Sequence, residues 1–299
     1  MRSKITAFFA YMILCLIAFF LVGPFLWMLA VAMTTSGDLF APPHIFIKEA
    51  FGEVADCFGI FFAAIFTGQW KEISNIPCFA NFKEMWSAVP MERFILNSVI
   101  ISMSGIVFNI IVASLAAYPL ARLEFPGRNI VFYGMLATLM LPEEANLIIN
   151  FITCGWLGLI DTLPGVILPS AASVFGIFLM RQAYLTIPKE LEDAARIDGA
   201  TDWQIWAKIM LPLARPAMAT LAIFSFMAYW NTFLWPLIVL QDPNKFPLAV
   251  GLSWLAGTFS SKFRIVAAGG VIATVPVILV FLFLQRYFMK GITQGAIKS

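Results

Sequence analysis

The sequence predicts an all-α membrane protein: a bundle of six transmembrane helices with one charged loop lying on a membrane surface. Three observations predict it. Of the 299 residues, 61% are hydrophobic and 12% are charged, against roughly 45–50% apolar and about 25% charged in an average soluble domain. The mean hydropathy is +0.88. Six stretches, 5–33, 95–119, 130–153, 163–184, 214–240 and 265–288, are apolar over about the 20 residues that a helix needs to cross a bilayer core.

In the first stretch, Arg2 and Lys4 precede an apolar run from Ile5 to Met33, and Ala30-Val31-Ala32 has the look of a cleavage site. The run is far longer than the roughly 7–15 residues of a signal-peptide core, so it is expected to be retained as a span. The second carries Ser98, Ser102, Gly105, Asn109, Ala113 and Ala116 at alternating steps of three and four. This small or polar stripe either packs closely against another helix or lines a pathway. In the third, Pro142, Glu143, Glu144 and Asn150 interrupt the apolar run. Carboxylates at membrane depth are costly and point to function, so Glu143 and Glu144 either face a pathway or mark its outer mouth. Pro164 and Pro169 crowd the start of the fourth, and the backbone groups they free need neighbouring helices. The fifth contains Trp230, Asn231 and Trp235, which suit sugar rings and hydroxyls or, alternatively, an aromatic belt at the interface.

Orientation follows from Lys and Arg. With six spans and both termini cytoplasmic, the cytoplasmic side holds Arg2, Lys4, Arg122, Arg128, Arg181, Lys189, Arg196, Lys208, Arg215, Arg286, Lys290 and Lys298, twelve of the nineteen basic residues. The loop 186–212 then faces the cytoplasm. Pro188 sits where a first helical turn tolerates it. Leu191, Ala194 and Ala195 share one face of a helix, and the paired alanines let another surface approach. Gly199 can take the left-handed conformation that ends a helix. Thr201 and Gln204 have capping-box spacing for a second helix from about Asp202 to Ile209, ended by Leu211-Pro212. The loop reads as two short helices joined at a glycine.

Asp193-Ala194-Ala195-Arg196-Ile197-Asp198-Gly199, with Ile209, Leu211 and Pro212 following at fixed spacing, resembles the E-A-A…G…I-x-L-P loop of ABC importer permeases. Asp193 stands where that family usually has Glu, one methylene longer, which bears on the ion-pair geometry at that position. Gln285 to Lys298, Tyr229 to Leu237 and Phe246 to Leu252 resemble the carbohydrate-importer branch, of the maltose and glycerol-phosphate type. The resemblance also runs through Thr34 to Pro43, so 34–94 reads as an extracytoplasmic loop with a segment inserted at about 46–79. Phe58 to Phe66 is too short to span as helix and reads as an interfacial or re-entrant piece or a small cap. Cys57 and Cys78 fall in the loop, on the oxidising side, as a disulfide or as two unpaired thiols.

The resemblance implies a six-helix permease bundle, 95–299 forming a five-helix core after the first helix at 1–33. It implies that the 186–212 loop docks on and couples to an ATPase through Asp193, Ala194, Ala195, Arg196, Asp198, Gly199, Ile209, Leu211 and Pro212. It implies a second permease subunit, two ABC ATPases, an extracytoplasmic solute-binding protein, membrane lipid, and a bacterial or archaeal cytoplasmic membrane. Asn109, Glu143, Glu144, Trp230, Asn231 and Trp235 are the candidates for the substrate pathway. No cofactor is expected on this chain: it has no G-x-x-x-x-G-K-[ST] phosphate loop, so ATP and Mg belong to the partner ATPases. A single histidine and four cysteines without C-x-x-C spacing argue against a metal or redox site. A net charge of +2 argues against nucleic acid, and no catalytic constellation points to an enzyme. The rivals are an ABC permease for a non-sugar solute such as glycerol phosphate or an amine, and a secondary carrier, which would be expected to show internal repeats.

Overall fold

A computed structural model describes residues 2–35, 52–57, 59–60, 62–63, 66, 77–258 and 262–296. The inserted segment at 46–79 and the Phe58 to Phe66 run lie largely outside the described residues. Among the described residues every regular element is helical. The chain divides into two compact units, 1–91 with 251–276, and 92–250 with 277–299.

In the first unit, α1 (Arg2–Met33) is an unbroken helix whose most apolar window has no buried residue. Phe8, Phe19, Phe20 and Leu21 all face outward, as lipid-facing side chains do. Its C-terminal end is tied down. Asn81, on α2 (Ala80–Ala88), donates from Nδ2 to the carbonyls of Ala32 at 2.9 Å and Thr34 at 2.8 Å, satisfying groups that a helix end leaves open. Cys57 and Cys78 form a disulfide, with Met33 packed against it. Of the two readings open for these cysteines, the structure has the bond. Glu53 accepts from the Thr35 backbone N–H at 2.8 Å, a second tie between this segment and the end of α1.

In the second unit, α3 (Met91–Arg122) is long and continuous. The third stretch is not. It forms α4 (Arg128–Thr138), a 3-10 turn over Glu143–Asn146 and α5 (Leu147–Trp156), because Pro142 holds an extended ψ of 137° between them. The fourth stretch becomes α6 (Leu163–Ile167), a 3-10 turn and α7 (Val174–Leu185), its two halves bent by 49°. The loop helices α8 (Glu190–Ile197) and α9 (Asp202–Ile205) follow. The fifth stretch is α10 (Arg215–Trp230) and α11 (Leu234–Val239), parted at Asn231–Phe233. The last two helices are α12 (Leu248–Thr258), an apolar helix that the six-stretch reading does not contain, and α13 (Phe263–Ala296), of which residues 251–276 belong to the first unit.

Among the described residues, three helices are therefore long and apolar enough to span unbroken, Ala7–Met33, Met91–Arg122 and Phe263–Phe283. The third and fourth expected spans are broken beside Pro142 and Pro169, which lack a backbone donor, and the fifth parts at Asn231–Phe233, where no proline stands. Side chains take up what the breaks leave. Thr162 Oγ1 accepts from Gly165 N at 3.2 Å and Ser173 Oγ from Gly176 N at 3.1 Å. Tyr229 donates its hydroxyl to the Ile167 carbonyl at 3.1 Å, and Trp235 Nε1 donates to the Gly165 carbonyl at 3.0 Å. A bundle can hold broken helices at membrane depth only with such partners.

The stripe on α3 is a packing surface. Ser98 Oγ accepts from Leu248 N at 2.7 Å. Asn109 Nδ2 donates to Ser225 Oγ on α10 at 3.1 Å. A Cβ at Gly176 would stand 2.9 Å from Asn109 Oδ1, so α7 approaches α3 closely there.

Candidate functional site

The loop 186–212 is built as its sequence predicts in its joints and differently in its faces. Gly199 has φ +81°, the left-handed conformation that glycine adopts without strain. The capping box is formed: Gln204 N donates to Thr201 Oγ1, and Thr201 N donates to Gln204 Oε1 at 2.9 Å. The second helix is not a plain α-helix to Ile209. After Ile205 it widens into a π-helical turn over Trp206–Met210, then one turn over Leu211–Leu213, and the chain meets α10 at 77°. Leu211-Pro212 thus lies inside the last turn, and the break falls at Ala214. Pro188 lies two residues before Glu190, outside the first turn.

The face that Leu191, Ala194 and Ala195 share is divided in the fold. Glu192 and Ala195 are inward, while Leu191 and Ala194 are exposed. Glu192 can be buried because Arg122, at the end of α3, reaches it: Nε stands 2.8 Å from Glu192 Oε1. The same guanidinium donates through Nη2 to the carbonyls of Tyr184, in the last turn of α7, at 2.7 Å, and of Ile187, just beyond it. Burial pushes the Glu192 carboxyl above its ordinary value, and the Arg122 and then the Arg196 charge draw it partly back. A second, exposed pair joins the two loop helices, Arg196 Nη2 to Asp202 Oδ1 at 2.5 Å, and raises the Arg196 pKa. Arg181 Nε donates to the Leu120 carbonyl at 3.0 Å, and its guanidinium lies 4.0 Å over the Phe132 ring, a cation–π contact.

The motif residues divide by face. Ala195 belongs to the core formed with Tyr118, Met180, Tyr184, Ile205, Trp206 and Met210, and Ile209 and Leu211 pack against that core. Pro212 is half-buried. Asp193, Ala194, Arg196, Asp198 and Gly199 are exposed. Beside them stand Ile197, 86% exposed, and Trp203, 63% exposed. Two large apolar side chains thus rise from an acidic and small-residue surface, while the opposite face is part of the core. Such an arrangement can receive another protein's surface and pass a push inward.

Sequence reading missed Arg122 and Glu192 because they lie far apart in the chain. The available signal was a lone arginine closing an apolar stretch and three acidic residues in the first turn of α8.

The pathway candidates are scattered. Asn109 is buried between helices, bonded to Ser225. Trp230 is buried, its ring stacked on Phe226 at 5.3 Å. Trp235 is buried, its indole N–H used by Gly165; neither tryptophan stands in an exposed belt. Asn231 is exposed, donating to the Met227 carbonyl at 2.9 Å. Glu143 and Glu144 are on the 3-10 turn between α4 and α5, where Glu144 is exposed; the Glu143 side chain is outside the described atoms. Among the described residues no group of three His, Cys, Asp or Glu is placed to hold a metal ion.

Comparison with known proteins places this geometry. The arabinooligosaccharides transport system permease protein of Halalkalibacterium halodurans is 42% identical over 203 residues, 68% of this chain and 73% of that protein. The lactose transport system permease protein of Rhizobium radiobacter is 33% identical over 298 residues, 100% of this chain and 98% of that protein. The fold matches a chain in the crystal structure of a bacterial ABC transporter involved in the import of the acidic polysaccharide alginate, with a TM-score of 0.74 and 23% identity over 96% of this chain and 98% of that one. A model of the family described as binding-protein-dependent transport system inner membrane component matches residues 109–294, well over half of the chain, including the whole loop. The chain belongs to that family: it is a multi-pass transport component of the inner membrane.

Proposed function

We propose that this chain is one permease subunit of an ATP-driven importer of a carbohydrate, working with a second permease subunit, two ATPase subunits and an extracytoplasmic solute-binding protein. The observation that carries the reading is the two-faced loop: Ile197 and Trp203 stand out beside Asp193 and Ala194, while Ala195 and Ile205 on the same two helices belong to the core. The exposed face is the ATPase dock. Closure of the ATPases on ATP pushes it, and the two permeases rock to open the pathway on the other side.

The loop and both termini face the cytoplasm. The distribution of Lys and Arg supports this, and so does the disulfide between Cys57 and Cys78, a bond that persists on the oxidising side of the membrane. The carbohydrate assignment is supported by the names of the relatives, among them permeases for arabinooligosaccharides, diacetylchitobiose and lactose. Relatives named for sn-glycerol-3-phosphate, 36% identical over 208 residues, carry the second reading, a phosphorylated polyol.

The test is reconstitution. The chain is co-expressed with a candidate partner permease and ATPase from its source genome, placed in proteoliposomes with a candidate binding protein, and offered labelled oligosaccharides and glycerol phosphate. ATP-dependent uptake of an oligosaccharide is expected. Uptake of glycerol phosphate alone would assign the second reading. A chain that captures no ATPase would end both.

A further inference from the structure

We propose that Arg122 and Glu192 are positioning residues that make the end of α3, the end of α7 and the loop helix α8 move as one body. The proposal rests on the coupling function above and specifies how a push on the exposed face of α8 reaches the membrane helices.

Besides Glu192, α8 buries little. Its buried contacts are Ala195 and the apolar core around it, and apolar contact is non-directional. Ala195 offers one methyl, so α8 could shift along that core at little cost. Arg122 adds two directional hydrogen bonds to backbone carbonyls and a close charge contact to Glu192. One planar guanidinium meets a carboxylate on α8 at 2.8 Å and two carbonyls at the end of α7, those of Tyr184 and Ile187, while its own backbone is the last turn of α3. A single side chain thus links three elements. The fork of five donors makes this available to arginine; a lysine ammonium is a point charge and cannot hold the same geometry. The side chains are only 10% and 4% exposed. Burying such a pair costs desolvation that apolar side chains would avoid, so stability alone is a poor reason for it to be there. Position is a better one.

The test uses the assembled complex in proteoliposomes and reads two rates, substrate imported and ATP hydrolysed. Arg122→Lys keeps the charge and loses the fork; Glu192→Gln keeps the shape and loses the charge. Both are expected to assemble, with import per ATP falling about tenfold, inside the usual range for coupling between sites. The double variant Arg122→Met with Glu192→Met removes both charges and should stay folded, yet it is expected to show the same loss. A pair that only staples the fold would instead give lower thermal stability with an unchanged ratio. An unchanged ratio in the assembled double variant overturns the proposal, and so does an unchanged ratio in both single variants. If the wild-type chain itself captures no ATPase, the transport reading falls and this proposal falls with it.

Discussion

The ring of Tyr229 occupies the space in which a side chain at Gly105 would stand: a Cβ there would lie 2.3 Å from Cε2 of the ring. Because Gly105 leaves that room, Tyr229 passes close by α3 and donates to the Ile167 carbonyl at the end of α6. Glycine in the stripe thus lets α3, α6 and α10 share one joint. Gly105→Leu is expected to destabilise the chain by about 1–3 kcal/mol or more, as overpacking does. Tyr229→Phe keeps the ring and loses the hydrogen bond, at a cost of about 1 kcal/mol. Thermal unfolding of the detergent-purified protein separates the two. Wild-type stability in Gly105→Leu would show that α10 can shift aside.

Gly199 has φ +81° and no atom within 4 Å of where a Cβ would be. Substitution there tests backbone conformation without a packing clash. Gly199→Val should cost about 1–2 kcal/mol locally, the ordinary price of a left-handed L-residue, and should tilt α9 relative to α8. Gly199→Asn, which tolerates this conformation, should cost less. Substrate uptake is expected to fall in the order glycine, asparagine, valine, with membrane insertion unchanged. Equal uptake in all three would show that the relative angle of the two loop helices does not matter.

Cys57 and Cys78 are 21 positions apart. Closing a loop of that length stabilises a chain by about 3 kcal/mol on the chain-entropy account. The pair Cys57→Ser with Cys78→Ser should therefore lower stability by about that amount in thermal unfolding. A peptide map without reductant should recover the two cysteines linked. Recovery of both as free thiols from intact cells would place this segment in a reducing compartment and reverse the proposed orientation.

Asp161 holds φ +57° at the turn before α6. Its carboxylate accepts from the backbone N–H groups of Asp242 and Gln241 and pairs with Lys245 Nζ at 2.6 Å. The Asp242 N–H first, then Lys245 and the Gln241 N–H, lower its pKa from 3.8 to about 2. A lowered carboxylate pKa contributes stability above its unfolded value and loses it as pH falls through the folded one. The extra stability of wild type over Asp161→Asn should therefore be full above pH 3.8 and disappear toward pH 2. Asparagine tolerates the same backbone conformation, so the comparison isolates the charge. A difference that does not change with pH would remove the ion pair from the account.

What was legible in the sequence was whatever local chemistry dictates. Mean hydropathy and run length announced the membrane helices, since crossing a bilayer demands about 20 apolar residues whatever the neighbours are. Gly199 and the Thr201–Gln204 box announced the joint between α8 and α9, because a left-handed turn and an N-cap are decided within four residues. The prolines announced strain in the third and fourth stretches. They did not say where each helix would part, because a broken helix is held by partners from elsewhere: Tyr229 for Ile167, Trp235 for Gly165.

Only the tertiary structure decided which face of α8 turns inward. By composition the leucine and alanines should be buried and Glu192 exposed, since a lone carboxylate is almost never buried. Arg122 reverses that choice from the end of another helix. The same holds for Asn109 Nδ2 and Trp235 Nε1, left open by the sequence between pathway and packing or belt, and bonded in the fold to Ser225 and Gly165. A buried polar group is admissible only when its partner is supplied, and in this chain the partners come from distant segments that only folding brings together.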